Sequence, residues 1–239
     1  MIEARPFENL GHFENAWLNA NYHFSFANYR NPSRMGVGPL RVWNDDTVAP
    51  GQGFDMHGHR DMEIITYIRE GAITHQDHLG NEGRTEAGDI QVMSAGKGIL
   101  HAEYNQEDRP TTLFQIWILP NKAHVQPRWE TRRFPREDRA GELVALASGR
   151  GHDGALVIHQ DAALFGSLLK TGQTLDVELE PGRQAYLVLA TGRVEVQDDS
   201  AASQTLKARD GAHIAETGRL RIAAQEDSEL LLADLPEAF

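Results

Sequence analysis

The sequence predicts an all-β protein built as two antiparallel, jelly-roll-like β-barrel lobes. Three observations carry that expectation: short β-branched and aromatic runs bounded by turn residues, one break in their rhythm near the middle, and a second half that partly repeats the first. At 239 residues the chain exceeds the usual size of one domain, so two lobes of ordinary size fit better than one large one.

From about residue 38 to residue 120 the runs MEIITYI, AITHQD, DIQVM and TLFQIWIL are separated by glycine-containing turns, an antiparallel pattern. DHLGNEGR, residues 77 to 84, joins two of these runs with Gly and Asn at turn positions, as a hairpin requires. Residues 121 to 142 are dense in charge and proline and read as a connector, which divides the chain into lobes of residues 1–130 and 131–239. Strands then resume as ELVALAS, ALVIHQ, TLDVELE, AYLVLATG, RVEVQ, RLRIAA and SELLLADL. TLDVELEPGRQAYLVLATGRVEV lies against APGQGFDMHGHRDMEIITYIREGAITH, and ARDGAHIAE against TEAGDIQVM, which points to a duplicated barrel. Where the first copy has GFDMHGHRDME the second has only PGRQ, so metal ligands are expected in the first lobe and not in the second.

Composition narrows the chemistry. With 23 basic against 35 acidic side chains the formal net charge is −12, the wrong sign for tracking a phosphate backbone, so nucleic acid is not expected as a direct ligand. The absence of cysteine excludes disulfides, thiolate catalysis and Cys-built zinc sites, and leaves His and carboxylates as the strong metal ligands. MIEARPFENLGHFENAW has no basic start followed by an apolar run, and no later run has the apolar length of a spanning helix. A cytoplasmic protein without membrane contact is the expectation.

Eight of the eleven histidines precede residue 130, and five fall between residues 57 and 101. His57 and His59 are two apart, so on an extended strand both imidazoles point to one face. His101 and Glu103 repeat that spacing some forty residues on. Two such pairs facing into one barrel supply three nitrogens and one carboxylate oxygen to a common centre. Taken alone, His-x-His on the glycine-rich GQGFDMHGHR is more often an ordinary hydrophilic pair than a metal site.

The wider spacing changes that balance. Gly51, five residues, His57-x-His59, three residues, Glu63 and seven more to Gly71 resemble the first motif of the cupin superfamily. AGDIQVMSAGKGILHAEYN, with Gly88, Gly96 and His101, resembles the second, although Ser94 stands where proline is usual and the gap from Gly96 to His101 is long. In the general cupin pattern the glutamate ligand falls at Glu63, so Glu63 and Glu103 compete for that role. Both departures belong to one branch: HGHRDMEIITYIREGAITHQDHLGNEG and GDIQVMSAGKGILHAEYN, continued by TTLFQIWILP, resemble the pirin family of bicupins. The resemblance is dense from about residue 36 to residue 120 and thin beyond. It implies a metal held by His57, His59, His101 and Glu103, with Glu63 a structural or outer-sphere carboxylate.

His75 and His78 face opposite sides of a strand beside a turn, and solvent exposure is expected rather than ligation. Phe54, Met56, Phe114 and Trp117 are candidates for an apolar mouth, though barrel aromatics are more often core. His12, His23, His124 and the three C-terminal histidines carry no signal. Fe(II) is the metal expected from the resemblance, with Mn, Co, Ni, Cu or Zn compatible with the same donors. The resemblance further implies a quercetin 2,3-dioxygenase activity, opening a flavonol's heterocyclic ring with O2 and releasing CO; on physical grounds Glu103 is the candidate to take the proton of the flavonol hydroxyl. Its alternative implication is a non-catalytic, metal-dependent module that binds a protein partner. A zinc hydrolase or isomerase fits four protein ligands less well.

Overall fold

The computed structural model describes residues 1–238. In the first lobe a seven-stranded sheet runs, edge to edge, Arg128–Arg132, Ile90–Ser94, Glu63–Glu70, Thr111–Ile118, Leu40–Val48, Leu18–Tyr22 and Gly11–Glu14. A four-stranded sheet, Gly53–His59, Ile99–Tyr104, Ala72–Asp77 and Glu82–Glu86, closes the barrel. The second lobe has a seven-stranded sheet of Ile2–Arg5, Gly211–Ile214, Arg183–Thr191, Ser228–Pro236, Ala163–Leu169, Val144–Ser148 and Leu156–Val157. Its four-stranded partner is Thr174–Glu178, Arg219–Ala224, Arg193–Asp198 and Ser203–Lys207. Apart from the outermost strands of the large sheets, the order of strands is the same in both, so the duplication visible in the sequence is a duplication of topology. Among the described residues, no helix is long and apolar enough to cross a membrane.

The two large sheets pack face to face, and this decides which residues are apolar. Ile65 and Tyr67 join Trp43, Phe114 and Ile116 in a core shared with Tyr186, Val188, Leu231 and Ala233 of the other lobe. Their strand neighbours Ile64, Thr66 and Ile68 alternate into the first barrel. Central strands buried on both faces read as nearly continuous apolar runs, as MEIITYI and AYLVLATG do.

Two short strands change the expected lobe boundary. Arg128–Arg132, inside the segment read as a connector, pairs with Ile90–Ser94 and completes the first lobe's sheet. Ile2–Arg5 pairs with Gly211–Ile214 and fills the same edge in the second lobe. A division at residue 130 therefore cuts through a strand, and the first residues of the chain lie with the second lobe. Both strands are short edge pieces, and RWETR in particular is charged and half-buried, so neither carries a hydrophobic period.

The barrels differ inside. The second is filled by one apolar cluster that includes Leu175, Val177, Leu187, Leu220 and Ile222. The interior of the first is split into two smaller clusters, one around Leu18, Ile68 and Leu113 and one around Ile64, Met93 and Ile99. Between them lies a buried polar layer of Asp46, Thr66, His75, Gln91, Glu103 and Gln115.

Candidate metal centre

Three neighbouring strands of the four-stranded sheet build the site. His101 on Ile99–Tyr104 lies directly across from His57 on Gly53–His59, and a register shift after His101 sets Glu103 across from Phe54. A bulge of this kind bends the strand and re-aims the side chains that follow it. On its other flank the same strand sets His101 against Asp77 and Glu103 against His75. Gly53 permits this approach, because a Cβ there would lie 2.2 Å from the Glu103 carbonyl oxygen.

His57, His59 and His101 bring one ring nitrogen each within 4.8 Å of one another, with ring centroids 4.4 to 5.1 Å apart. Nδ1 of His57 donates to the Asp55 carbonyl at 2.6 Å, which fixes the tautomer and leaves Nε2 free to ligate. Nε2 of His101 is buried with no hydrogen-bond partner. An orphaned imidazole nitrogen facing two others is what a metal site requires, and the donor set suits a divalent ion. Burial, and then the neighbouring imidazole of His57, lower His59 to about 4 and His101 to about 2, so both are neutral and able to ligate near neutral pH.

Glu103 enters a second, overlapping group with His75 and His101, whose ligand atoms also lie within 4.8 Å of one another. Its carboxylate accepts from Gln115 Nε2 at 2.7 Å, from Thr66 Oγ1 at 3.4 Å and from Gln91 Nε2. Burial raises its pKa above the ordinary carboxylate value, against the lowering influence of His75, Gln115 and His57.

His75 is the residue that sequence reasoning misplaced. It is fully buried, with its ring stacked on Trp129 at 4.6 Å and an interplanar angle of 4°. The turn begins three residues later, so of the two histidines only His78 is exposed; its Nδ1 accepts the Leu100 amide at 3.1 Å. A signal existed, because His75-Gln-Asp77 has the same i, i+2 spacing as the two ligand pairs. Glu63 sits on the opposite face of its strand from Thr66, accepts from Ser94 Oγ at 2.7 Å, and belongs to neither metal-capable group. Of the four candidate mouth residues, Phe54 and Trp117 line the cavity, Phe114 lies in the core between lobes, and Met56 is 54% exposed.

The site opens into a cavity of about 660 Å³ that His57, His59 and Glu103 line. At the matching mouth of the second barrel Arg150 pairs with Asp161, Glu180 and Asp234, and the cavity is about 220 Å³.

Two barrels of one topology, one of them lined by histidines and a carboxylate from paired strands, define a bicupin with a candidate metal centre in its first lobe. The pirin family model matches residues 3–118, and the quercetinase C-terminal cupin domain matches residues 145–235. A Pseudomonas aeruginosa protein that carries a provisional quercetin 2,3-dioxygenase name is 56% identical over 98% of this chain and 100% of its own. The quercetin 2,3-dioxygenase of Escherichia coli K12 is 40% identical over 99% of both chains. The bacterial pirin YhhW of Escherichia coli, solved in complex with nickel(II), superimposes with a TM-score of 0.91 at 38% identity over 99% of each chain. The chain belongs to the pirin family.

Proposed function

We propose that this protein is a metal-dependent dioxygenase of flavonol-type substrates, with His57, His59, His101 and Glu103 holding one divalent ion, iron(II) in the first instance. The observation that carries the reading is the convergence of three imidazoles, one of them with an orphaned buried nitrogen and the other two lining a cavity large enough for a three-ring ligand. The names of the relatives support the reaction class, and the nickel of the Escherichia coli pirin supports a divalent ion. When bound, the ion supplies Lewis acidity that favours the ionised flavonol and redox chemistry toward dioxygen.

The chain's own residues do the rest. Glu103, its pKa raised by burial, is placed to take the proton of the flavonol hydroxyl, while Gln115 and Gln91 hold its carboxylate in place. Trp17 and Phe54, edge to face at 5.2 Å, and Trp117 beside His59 give the cavity aromatic walls that seat a flat ring system and exclude water. Ring opening consumes one flavonol and one O2 and releases one CO.

Oxygen uptake by the iron(II)-reconstituted protein on adding quercetin is the test, with His101→Ala as background. Uptake in step with flavonol loss, absent from the variant, is the expected result. No uptake with iron, manganese, cobalt, nickel or copper would overturn the dioxygenase reading.

A further inference from the structure

Two polar side chains in the cavity are used neither by the candidate metal centre nor by the fold. Asn44 and Asp46 lie on Leu40–Val48, where alternation turns Trp43 and Asp45 toward the other lobe and Asn44 and Asp46 into the barrel. Both line the cavity, and they are only 4% and 2% exposed. Oδ1 of each is buried without a hydrogen-bond partner. Buried acceptors left unpaired are costly, and two side by side in one ligand-sized cavity call for an explanation.

Their position relative to the metal centre is set by strand pairing. Asn44 lies directly across from Gln115, the residue that donates to Glu103, and Asp46 lies two positions further along, across from Leu113. On the other flank Asn44 pairs with Tyr22 and Asp46 with Ala20, both cavity-lining. The cavity thus has a ligating end at His57, His59 and Glu103, aromatic walls, and a second polar pair one strand beyond Gln115. Burial, then the charges of Asp45 and Glu103, hold the Asp46 carboxyl well above the usual range against the influence of Arg69. A carboxyl accepts a hydroxyl hydrogen whether neutral or ionised, so recognition does not depend on that shift.

Resting on the dioxygenase reading, we infer that Asn44 and Asp46 form a hydroxyl-recognising subsite that binds the phenolic hydroxyls of a planar polyphenol on the cavity wall one strand beyond Gln115. An unpartnered amide oxygen and an unpartnered carboxyl oxygen both accept, so the ligand must donate, and an O–H on a flat aromatic body satisfies both the polar pair and the walls. The pair then selects among flavonols by their ring hydroxyls and takes no part in the chemistry.

The test is anaerobic binding to the iron(II)-loaded protein, read by quenching of tryptophan fluorescence. The probes are quercetin and the flavonol whose outer ring bears no hydroxyl. Wild type should prefer quercetin by about 10- to 100-fold, and Asn44→Leu and Asp46→Leu should lose about tenfold or more of that preference while binding the unsubstituted flavonol as before. Asp46→Asn, which keeps a carbonyl acceptor at the same place, should retain most of the preference, and it carries the test if Asp46→Leu fails to fold. Equal affinity of wild type for both flavonols, or leucine variants that weaken both equally, would overturn the subsite and leave the dioxygenase reading standing. Binding of neither flavonol to wild type would overturn both.

Discussion

His75 presents its Nδ1 to Nδ1 of His101 across 3.4 Å, while its Nε2 lies 3.1 Å from the Asp77 carboxylate. Burial raises the Asp77 carboxyl, but hydrogen bonds from Asn81, His75 and the Leu79 amide outweigh it and hold the group below its ordinary range. An ionised carboxylate only accepts, so His75 carries its proton on Nε2 and its bare Nδ1 accepts from His101 Nδ1–H. That leaves the orphaned Nε2 of His101 as the free lone pair. His75→Leu should weaken metal binding about 10- to 100-fold, and His75→Gln, which restores an acceptor, should recover part of it. Competition against a chelator measures this, and unchanged affinity in the leucine variant would remove His75 from the role.

The candidate histidine cluster and the double barrel were legible in the sequence because both rest on period two. His57-x-His59 and His101-x-Glu103 announce a shared inward face, and strands buried on both sides announce themselves as apolar runs. What stayed hidden depends on which strands become neighbours. His75 looks like a turn residue until Ala72–Asp77 is paired with Ile99–Tyr104, and nothing local shows that His101 faces Asp77. Asn44 and Asp46 sit in WNDDTV, whose partners on both flanks are distant in sequence, so nothing local shows that they line a cavity. The two edge strands failed for the opposite reason, being too short and too charged to show any period.

Arg139 belongs to the charge-dense segment read as a connector, yet it is fully buried. Its Nη1 donates to Tyr67 Oη at 3.0 Å and lies 3.5 Å from the Glu229 carboxylate, which also accepts from Tyr67, so the group ties the two lobes together. Arg139→Met should cost about 3–5 kcal/mol in chemical denaturation, because Glu229 is left buried with the exposed Arg136 as its remaining cation. Adding Glu229→Gln to that variant should return part of the loss, and a destabilisation that is simply additive would argue against the coupling.

Glu63 gives the junction one pH dependence. Burial raises its carboxyl to about 7, against the lowering effects of Ser94, the His159 backbone and Arg128. Between about pH 4.5 and that value the folded protein holds a proton which the unfolded chain has released, so stability falls as pH rises through the window. Glu63→Gln should leave stability near pH 4.5 little changed and raise it by about 2–3 kcal/mol relative to wild type above pH 7. Denaturation curves of both proteins across that range check it, and a difference independent of pH would count against a buried, protonated Glu63.

His23 contributes the opposite slope from the same junction. It is fully buried, its Nδ1 lies 2.9 Å from Tyr186 Oη of the other lobe, and its Nε2 has no partner. Burial first, then Arg5, Arg34 and Arg209, depress its pKa to about 3. The unfolded chain binds a proton at this ring below about pH 6.5 and the folded chain does not, so the stabilisation is complete above that value. It is lost as pH falls toward 3, with a slope of up to about 1.4 kcal/mol per pH unit. His23→Asn cannot titrate, and its stability should decline less steeply than that of wild type between pH 6 and pH 4, with about one proton fewer taken up on unfolding. Equal acid slopes in the two proteins would mean that His23 charges in the folded state, which would require an acceptor for Nε2 and a junction loose enough to admit water.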